Sequence, residues 1–307
     1  MKESELLERI MKIGATGSDI LVGPGDDAAV VRTPSGDQLV LTVDQVIEGR
    51  HYRSGTPLQI VARKAVARSI SDLAAMCARP AWCLATGALP EDMSQSDATL
   101  LCDALREHAA AFGCPLVGGD IASVPRGTPL MLTVTAAGFQ PAGMRSPLRS
   151  GAKPGDAVYV TGAIGASFDA TTGLGHHVSF TPRVAESHEI YVLAGDTLGA
   201  MMDVSDGLGL DASRIGKASG VLVMLDETSI PLRDANRSAG RSIADGEDYE
   251  LLFTARADMK LPERLPRSGT RVTRIGMVVG GDPGAALTSL DGATQRLDDA
   301  GWDHGAR

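Results

Sequence analysis

The chain has 307 residues, long enough for two domains of ordinary size. Its composition, 43% hydrophobic and 22% charged, is typical of a soluble globular protein, and no stretch approaches the ~18 uninterrupted apolar residues of a membrane span. The net charge of −9 is not offset by any cluster of Lys and Arg, which argues against a nucleic-acid partner.

The N-terminal segment predicts a charged amphipathic helix over residues 3–14, without the apolar segment of a secretion signal. None of the four cysteines forms a C-x-x-C pair or lies at zinc-site spacing from a histidine. This pattern predicts reduced, mostly buried thiols in a cytoplasmic protein. The cysteines are Cys77, Cys83, Cys102 and Cys114.

Two further helices are predicted in the first half. One begins at Thr56, a plausible N-cap, with Pro57 at the first helical position and Gln59 completing a capping box. The other covers about residues 96–112, with Ser96 as its N-cap. Strands are predicted at residues 28–32, 38–43, 114–117 and 129–139.

A segment rich in Gly, Pro and basic residues, 141–156, is predicted to separate two domains, which we place at residues 1–140 and 150–307. In the second half, helical regions are predicted at about 183–201 and 207–219. Strands are predicted near 157–162, 221–225, 249–255 and 271–279. Because strands and helices alternate irregularly in both halves, the pattern favours an α+β fold over a doubly wound parallel sheet.

Six short acidic motifs carry most of the functional information. They read GPGDDAAV, TVDQVIEGRHY, SISDLAAM, VGGD, DVSDGLGLD and DGEDYELLF. Each places carboxylates beside small residues, which let a large ligand or a cation cluster approach the backbone. The chain has no P-loop, no GxGxxG opening a helix after a strand, and neither GxSxG nor a kinase-type HRD, so the common nucleotide and hydrolase folds are excluded.

Taken singly, several of these motifs have ordinary structural explanations. The acids of GPGDDAAV and VGGD could belong to simple turns, and those of DVSDGLGLD could cap a helix. Asp44, directly after an apolar strand, and Asp72, beside the apolar stripe of its helix, are harder to explain in this way. Oxygen ligands without His or Cys select Mg²⁺ or Mn²⁺ rather than zinc. The pattern as a whole predicts one acidic cluster, formed by Asp27, Asp44, Asp72, Asp120, Asp203 and Asp206.

The motifs resemble those of thiamine-monophosphate kinases, in a superfamily with aminoimidazole ribonucleotide synthetase, selenophosphate synthetase and the hydrogenase-maturation dehydratase. The resemblance covers nearly the full length, and SDLAAM together with GEDYEL is specific to this kinase. It also includes GDDAA, VDQ…EGRHY, GGD, MRSPLRSGAKPGD, DVSDGL and the terminal GWDH. It implies a PurM-like two-domain architecture, with a mixed or antiparallel sheet and flanking helices in the N-terminal domain and a C-terminal α+β domain. The family dimerises through its N-terminal half, and its active site lies between the domains.

The resemblance also implies a reaction, in which ATP phosphorylates thiamine phosphate to thiamine diphosphate on several Mg²⁺ ions by direct in-line transfer. The magnesium positions are Asp27, Thr42, Val43, Asp44, Asp72, Asp120, Asp203 and Asp206. The ATP positions are Gly119, Asp120, Arg145 and Ser205. The thiamine-phosphate positions are His51, Glu247 and Trp302. Arg145, Asp44 and Asp120 are expected to act directly in catalysis.

The chain departs from the family pattern at three places, which are Val43, Asp245 and His188–Glu189. At Val43 a metal contact would have to be made by the backbone carbonyl. Without the resemblance, His51, Arg145, Glu247 and Trp302 would be read as surface or packing residues. Other members of the superfamily are disfavoured by the cysteines, since none lies in the N-terminal Gly-rich region and none follows Cys114. A catalytically silent regulator that binds magnesium and nucleotide is the alternative of a different class.

Overall fold

The computed structural model describes residues 17–141, 143–298, 300 and 301, together with residues 6, 9–11 and 14. The described chain contains two β-sheets, one from each half, with helices packed against them. This is the α+β architecture expected from the sequence. No described helix combines the length and the apolar character that a membrane crossing requires. The predicted helix over residues 3–14 and the terminal loop with Trp302 lie largely or wholly outside the described residues.

The first sheet has six strands in the order β1-β2-β3-β6-β4-β5. All neighbouring pairs are antiparallel except β4 and β5, which are parallel, so the sheet is mixed as expected. The strands are β1 Ile20–Val22, β2 Ala29–Arg32, β3 Gln38–Ile47, β4 Arg79–Pro90, β5 Leu116–Val124 and β6 Met131–Phe139.

Helices α1 (Leu58–Ala75) and α2 (Gln95–Ala111) cover one face of this sheet. In β3, alternation turns Val40, Thr42 and Val46 toward the helices. The opposite face carries partly uncovered apolar side chains, with Val43 60% exposed and Leu84 46% exposed.

Two predicted helix starts in this half are corrected by the structure. Helix α1 has Pro57 at its N-cap with no side-chain cap, because the Thr56 hydroxyl donates instead to the Arg53 carbonyl at 2.8 Å. Helix α2 begins two residues earlier than predicted, since Ser94 rather than Ser96 accepts a hydrogen bond from the Asp97 backbone.

Two strands are longer than predicted. Strand β3 continues to Ile47, so Asp44 lies inside the strand and does not follow it. Strand β5 runs through Gly118, Gly119 and Asp120 to Val124, so the GGD motif lies in an edge strand and not in a turn. A Cβ atom on Gly119 would lie 1.9 Å from the Ala85 carbonyl oxygen. The close packing of β5 against β4 is therefore enough to explain why position 119 is a glycine.

The second sheet has seven strands in the order β13-β12-β9-β11-β7-β10-β8. They are β7 Asp156–Thr161, β8 Leu198–Asp203, β9 Leu222–Asp226, β10 Leu251–Arg256, β11 Val272–Val279, β12 Gly284–Thr288 and β13 Thr294–Arg296. The helices are α3 His176–Ser179, α4 Val184–Ala194, α5 Leu208–Ser219 and α6 Ala239–Ser242. Short 3₁₀ helices cover Arg149–Gly151, Gly195–Thr197 and Glu227–Ser229. The helical region predicted over 183–201 is therefore wrong at its end, where the buried strand β8 begins.

Helix α1 joins the two halves. It contacts β3 and β6 of the first sheet, and also α3, α4 and β8 of the second half. Near its end, Ala75 and Cys77 share an apolar cluster with Met201 and Phe253. The polar residues on the same helix are consequently held at the junction between the halves. All four cysteines are free, and only Cys102 is exposed.

Candidate functional site

A cleft of about 720 Å³ lies at this junction. Its walls come from the segment after β3, from α1, and from four places in the second half, at residues 168 and 170, 205–206, 237 and 244–249. The lining includes Gly49, Arg50, His51, Tyr52, Arg53, Arg68, Phe168, Ala170, Ser205, Asp206, Arg237, Ala244, Asp245, Gly246, Glu247 and Tyr249.

Three aspartates from three separate elements converge beside the cleft. Asp27 precedes β2, Asp72 lies near the end of α1, and Asp203 ends β8. One carboxylate oxygen of each lies within 4.8 Å of the other two. The three motifs that supply them are up to 176 positions apart in the chain (203 − 27), so only the folded structure brings them together.

The electrostatics of this triad (Asp27, Asp72 and Asp203) suit a bound cation. Burial, reinforced by neighbouring carboxylates, raises the pKa of Asp72 and of Asp203 well above the usual value. For Asp72 the nearby carboxylate of Asp44 contributes next after burial. One buried oxygen of Asp27, Oδ2, has no hydrogen-bond partner among the described residues. Desolvated carboxylates with an unpaired oxygen and no His or Cys fit a hard cation such as Mg²⁺.

Hydroxyls from neighbouring residues orient the triad. The Thr42 hydroxyl donates to Asp72, and the Ser71 hydroxyl donates to Asp203 Oδ2 at 2.6 Å. The half-buried Arg149 guanidinium donates to Asp27 Oδ1 at 2.5 Å, and the Arg149 backbone N–H donates to the Asp26 carboxylate. Burial together with the charge of Asp27 raises the pKa of Asp26 to about 7.

A second carboxylate group flanks the triad at the start of α5. The buried Asp211 accepts hydrogen bonds from the backbone N–H groups of Ser205 and Asp206, at 3.1 and 3.0 Å. Arg214 donates to both Asp206 and Asp211. Gly207 stands at the N-cap of α5 without a side-chain cap, so the structure rules out the simple explanation of the DVSDG acids as caps. Ser205 and Asp206 are instead turned toward the cleft.

On the part of the cleft wall formed by residues 244–249, an ion pair with the buried Lys64 fixes Glu247. The Lys64 ammonium, fully buried, lies 2.6 Å from Glu247 Oε1 and 2.9 Å from His177 Nδ1, and donates to the His51 carbonyl at 2.5 Å. Burial alone would raise the pKa of Glu247, but the charge of Lys64, the hydrogen bond with His177 and the charge of Arg68 lower it to about 2. Glu247 is therefore a fixed negative charge on the wall of the cleft.

Comparison with known proteins identifies the family. The model for the N-terminal domain of AIR synthase related proteins matches residues 25–140. The thiamine-monophosphate kinase of Escherichia coli K12 is 32% identical, covering 95% of this chain and 94% of the relative. The thiamine-monophosphate kinase of Rhodopirellula baltica is 34% identical, covering 85% and 84%. The chain belongs to the thiamine-monophosphate kinase family.

A solved structure of this family extends the likeness to three dimensions. AaThiL complexed with AMPPCP and TMP superimposes with a TM-score of 0.81 at 27% identity, covering 99% of this chain and 97% of that chain. This chain therefore shares the fold of AaThiL, whose solved structure is a complex with AMPPCP and TMP.

Of the residues that the thiamine-monophosphate kinase resemblance singled out, the structure gathers most at the junction. Asp27, Asp72 and Asp203 form the triad, Thr42 donates to Asp72, and Asp44 acts on Asp72 electrostatically. The others line the cleft, and they are His51, Ser205, Asp206 and Glu247.

The remaining expected positions lie elsewhere. Asp120 stands on the exposed edge strand β5, three strand spacings or roughly 14 Å from Asp44, and by alternation on the opposite face of the sheet. The Val43 side chain also points to that face. Arg145 is exposed, with its backbone N–H donating to the Tyr191 hydroxyl at 3.1 Å. Trp302 lies outside the described residues.

Four site residues were not predicted from the sequence. They are Lys64, Arg68, Arg149 and His177. For Lys64 and Arg68 a signal existed, since both interrupt the apolar stripe of a helix on the side that must be buried. For His177 we find no signal in the local sequence.

Proposed function

We propose that this chain phosphorylates thiamine monophosphate with ATP, giving thiamine diphosphate and ADP. Membership of the family supports the reaction. The observation that carries the proposal is the placement of a desolvated carboxylate triad directly beside a cleft that ends in a fixed carboxylate, Glu247. One side suits metal-bound phosphates, and the other suits a cationic organic acceptor.

The acceptor needs no strong general base. Its second phosphate pKa is about 6, so at neutral pH the attacking oxygen is already largely deprotonated. A lone pair of that oxygen forms the new bond to the γ-phosphorus while the bond from the γ-phosphorus to the β,γ-bridging oxygen breaks, and its electrons leave with ADP. The obstacle is repulsion between two polyanions. Catalysis is therefore mainly positioning and charge neutralisation.

The residues present fit Mg²⁺, which would neutralise the phosphate oxygens and hold them in line when bound. Asp27, Asp72 and Asp203 would hold it, and we propose Asp44 and Asp206 as further ligands. Thr42 keeps the Asp72 carboxylate oriented. Val43, whose side chain faces away, would contribute only its carbonyl.

On the acceptor side, Glu247 faces the thiazolium cation, and Lys64 with His177 keeps the carboxylate ionised and fixed. His51 lines the same wall, and we propose that Trp302 stacks on the acceptor rings. On the donor side, we propose that ATP contacts Ser205, which lines the cleft, and Arg145, which is exposed outside it.

We also propose that the enzyme is a cytoplasmic homodimer formed through the first half. The uncovered sheet face supports this, because contiguous apolar patches on one side of a sheet mark association surfaces. Asp120 lies too far from the triad of its own chain. Since it stands on the face that would meet the second copy, Gly119 and Asp120 would contact ATP and metal across the interface.

Mass spectrometry of products from ATP, Mg²⁺ and thiamine monophosphate tests the activity, with thiamine diphosphate as the expected product. Asp44→Asn should lower turnover by at least roughly 100-fold, the effect of removing an electrostatic catalytic group. Its thermal unfolding should change little. Asp37→Asn, at an exposed turn, is the matched control. Binding of Mg²⁺ and ATP without product would indicate the silent regulator instead.

A further inference from the structure

We propose that Arg68 binds the phosphate group of the acceptor, as a substrate-contacting residue additional to the positions implied by the family motifs. This inference rests on the proposed kinase function and specifies how the cleft distinguishes a phosphorylated acceptor from an unphosphorylated one.

The position of Arg68 follows from helix geometry. It lies four residues before Asp72 on α1, so the two side chains share one face of the helix. Arg68 lines the cleft, and its side chain is only 15% exposed. It therefore stands between the carboxylate triad and the wall that carries Glu247.

The hydrogen bonding of Arg68 is incomplete. Its Nη2 donates to Asp44 Oδ1 at 3.1 Å. Its Nε and Nη1 are buried but have no hydrogen-bond partner among the described residues. A guanidinium carries five N–H donors. Removing charged donors from water without providing acceptors lowers the free energy of unfolding. The cleft thus holds a cation with unused, desolvated donors.

The nearby carboxylates do not accept hydrogen bonds from the unpaired donors of Arg68. Glu247 is held by Lys64, and Asp72 accepts from Thr42. The guanidinium is a permanent positive charge, because arginine is not deprotonated in proteins. An oxyanion that enters the cleft would supply the missing acceptors. Arginine suits this task because its planar fork matches phosphate geometry.

The location indicates which phosphate binds. A phosphate at Arg68 would have its ester side toward Glu247, where the thiazolium belongs, and its free oxygens toward the triad, where the γ-phosphate would be held. The phosphate bound at Arg68 would therefore be the acceptor phosphate, which supplies the attacking oxygen. The same guanidinium, bound to Asp44, would couple acceptor position to the metal site.

A purely structural role would be that Arg68 neutralises Asp44 and Asp72. That role predicts lower stability on substitution, with equal effects on every acceptor. Phosphate binding predicts a difference between two acceptors that differ only in the phosphate. Thiamine monophosphate and thiamine form such a pair.

The test is calorimetric binding of both compounds in Mg²⁺ to the wild type, Arg68→Met and Arg68→Lys. Arg63→Met is the control, since Arg63 lies on the same helix but donates to the carbonyls of Val178 and Phe180. Arg68→Met should weaken thiamine monophosphate binding by about 10- to 100-fold, the effect of charged hydrogen bonds. Thiamine binding should change less than about threefold by the same reasoning. Arg68→Lys, which keeps the charge, should lie between.

Arg63→Met should leave the ratio of the two affinities unchanged. Equal weakening of both compounds in Arg68→Met, or no weakening of either, would overturn the inference. If Arg68→Met does not fold, Arg68→Lys provides the test. Loss of the planar guanidinium must still reduce the ratio of the affinity for thiamine monophosphate to that for thiamine. A wild type that makes no thiamine diphosphate would instead refute the proposed function. An active wild type with an unchanged ratio in the variants would refute only the role of Arg68.

Discussion

Glu247 adopts a left-handed backbone conformation (φ +65°), and so does Tyr249 two residues later (φ +50°). Such conformations are strained for residues other than glycine, and persist only where the surroundings enforce them. Here the enforcement comes from the ion pair of Glu247 with Lys64 and from the Glu247 backbone N–H, which donates to the Ser205 carbonyl at 2.7 Å. The strain is located at the wall of the cleft, where a fixed carboxylate is needed.

The ion pair gives a pH prediction. The pKa of Glu247 is lowered from 4.5 to about 2, so its contribution to stability is complete above pH 4.5 and is lost as the pH falls toward 2. The unfolding free energy of the wild type should exceed that of Glu247→Gln by at most about 3 kcal/mol at pH 7. Urea titrations from pH 7 to 3 should show this difference shrinking below pH 4.5. A difference that stayed constant, as expected for exposed Glu107→Gln, would contradict the assignment.

At the scale of elements, the sequence predicted the type of most helices and strands but not their caps or ends. Asp44 and Asp120 were expected just after strands, yet both lie within them, because pairing with β6 and β4 extends each strand. Inter-strand pairing of this kind is a long-range effect that local pattern does not contain. The convergence of Asp27, Asp72 and Asp203 was predicted from the acidic motifs, as part of a larger cluster of six aspartates. The cations Lys64 and Arg149 were not predicted, because their partners lie more than 100 residues away in the chain.

The N-cap of α2 offers a direct comparison of two neighbouring serines. The Ser94 hydroxyl oxygen accepts from the Asp97 backbone N–H at 3.0 Å, whereas Ser96 contacts only the Ser94 hydroxyl. Ser94→Ala should lower the unfolding free energy by about 1 kcal/mol, the usual effect of losing such a cap. Ser96→Ala should change it by less than about 0.5 kcal/mol. Urea denaturation of both variants measures the difference, and the reverse order would restore Ser96 as the cap.

At the scale of the whole molecule, one structural fact separates the predicted site into two parts. The triad and Glu247 lie at the junction of the halves, whereas Asp120 lies on the exposed edge strand of the first sheet. The sequence could not distinguish an acid that joins the cluster within its own chain from one that would act in a second copy. Both occur in the same kind of Gly-rich motif.

Mixing two inactive variants tests whether the site is shared between copies. Asp44→Asn and Asp120→Asn should each be inactive alone, since each lacks an acid needed at every site. In a twofold dimer with shared sites, a mixed dimer carries both substitutions at one site and none at the other. After subunit exchange of an equal mixture, about a quarter of wild-type turnover should return, because half of the dimers are mixed and each has one intact site. Leu84→Glu on the sheet face, which should block association, is the control without recovery. If exchange is demonstrated by mass spectrometry and no activity returns, Asp120 does not act across the interface.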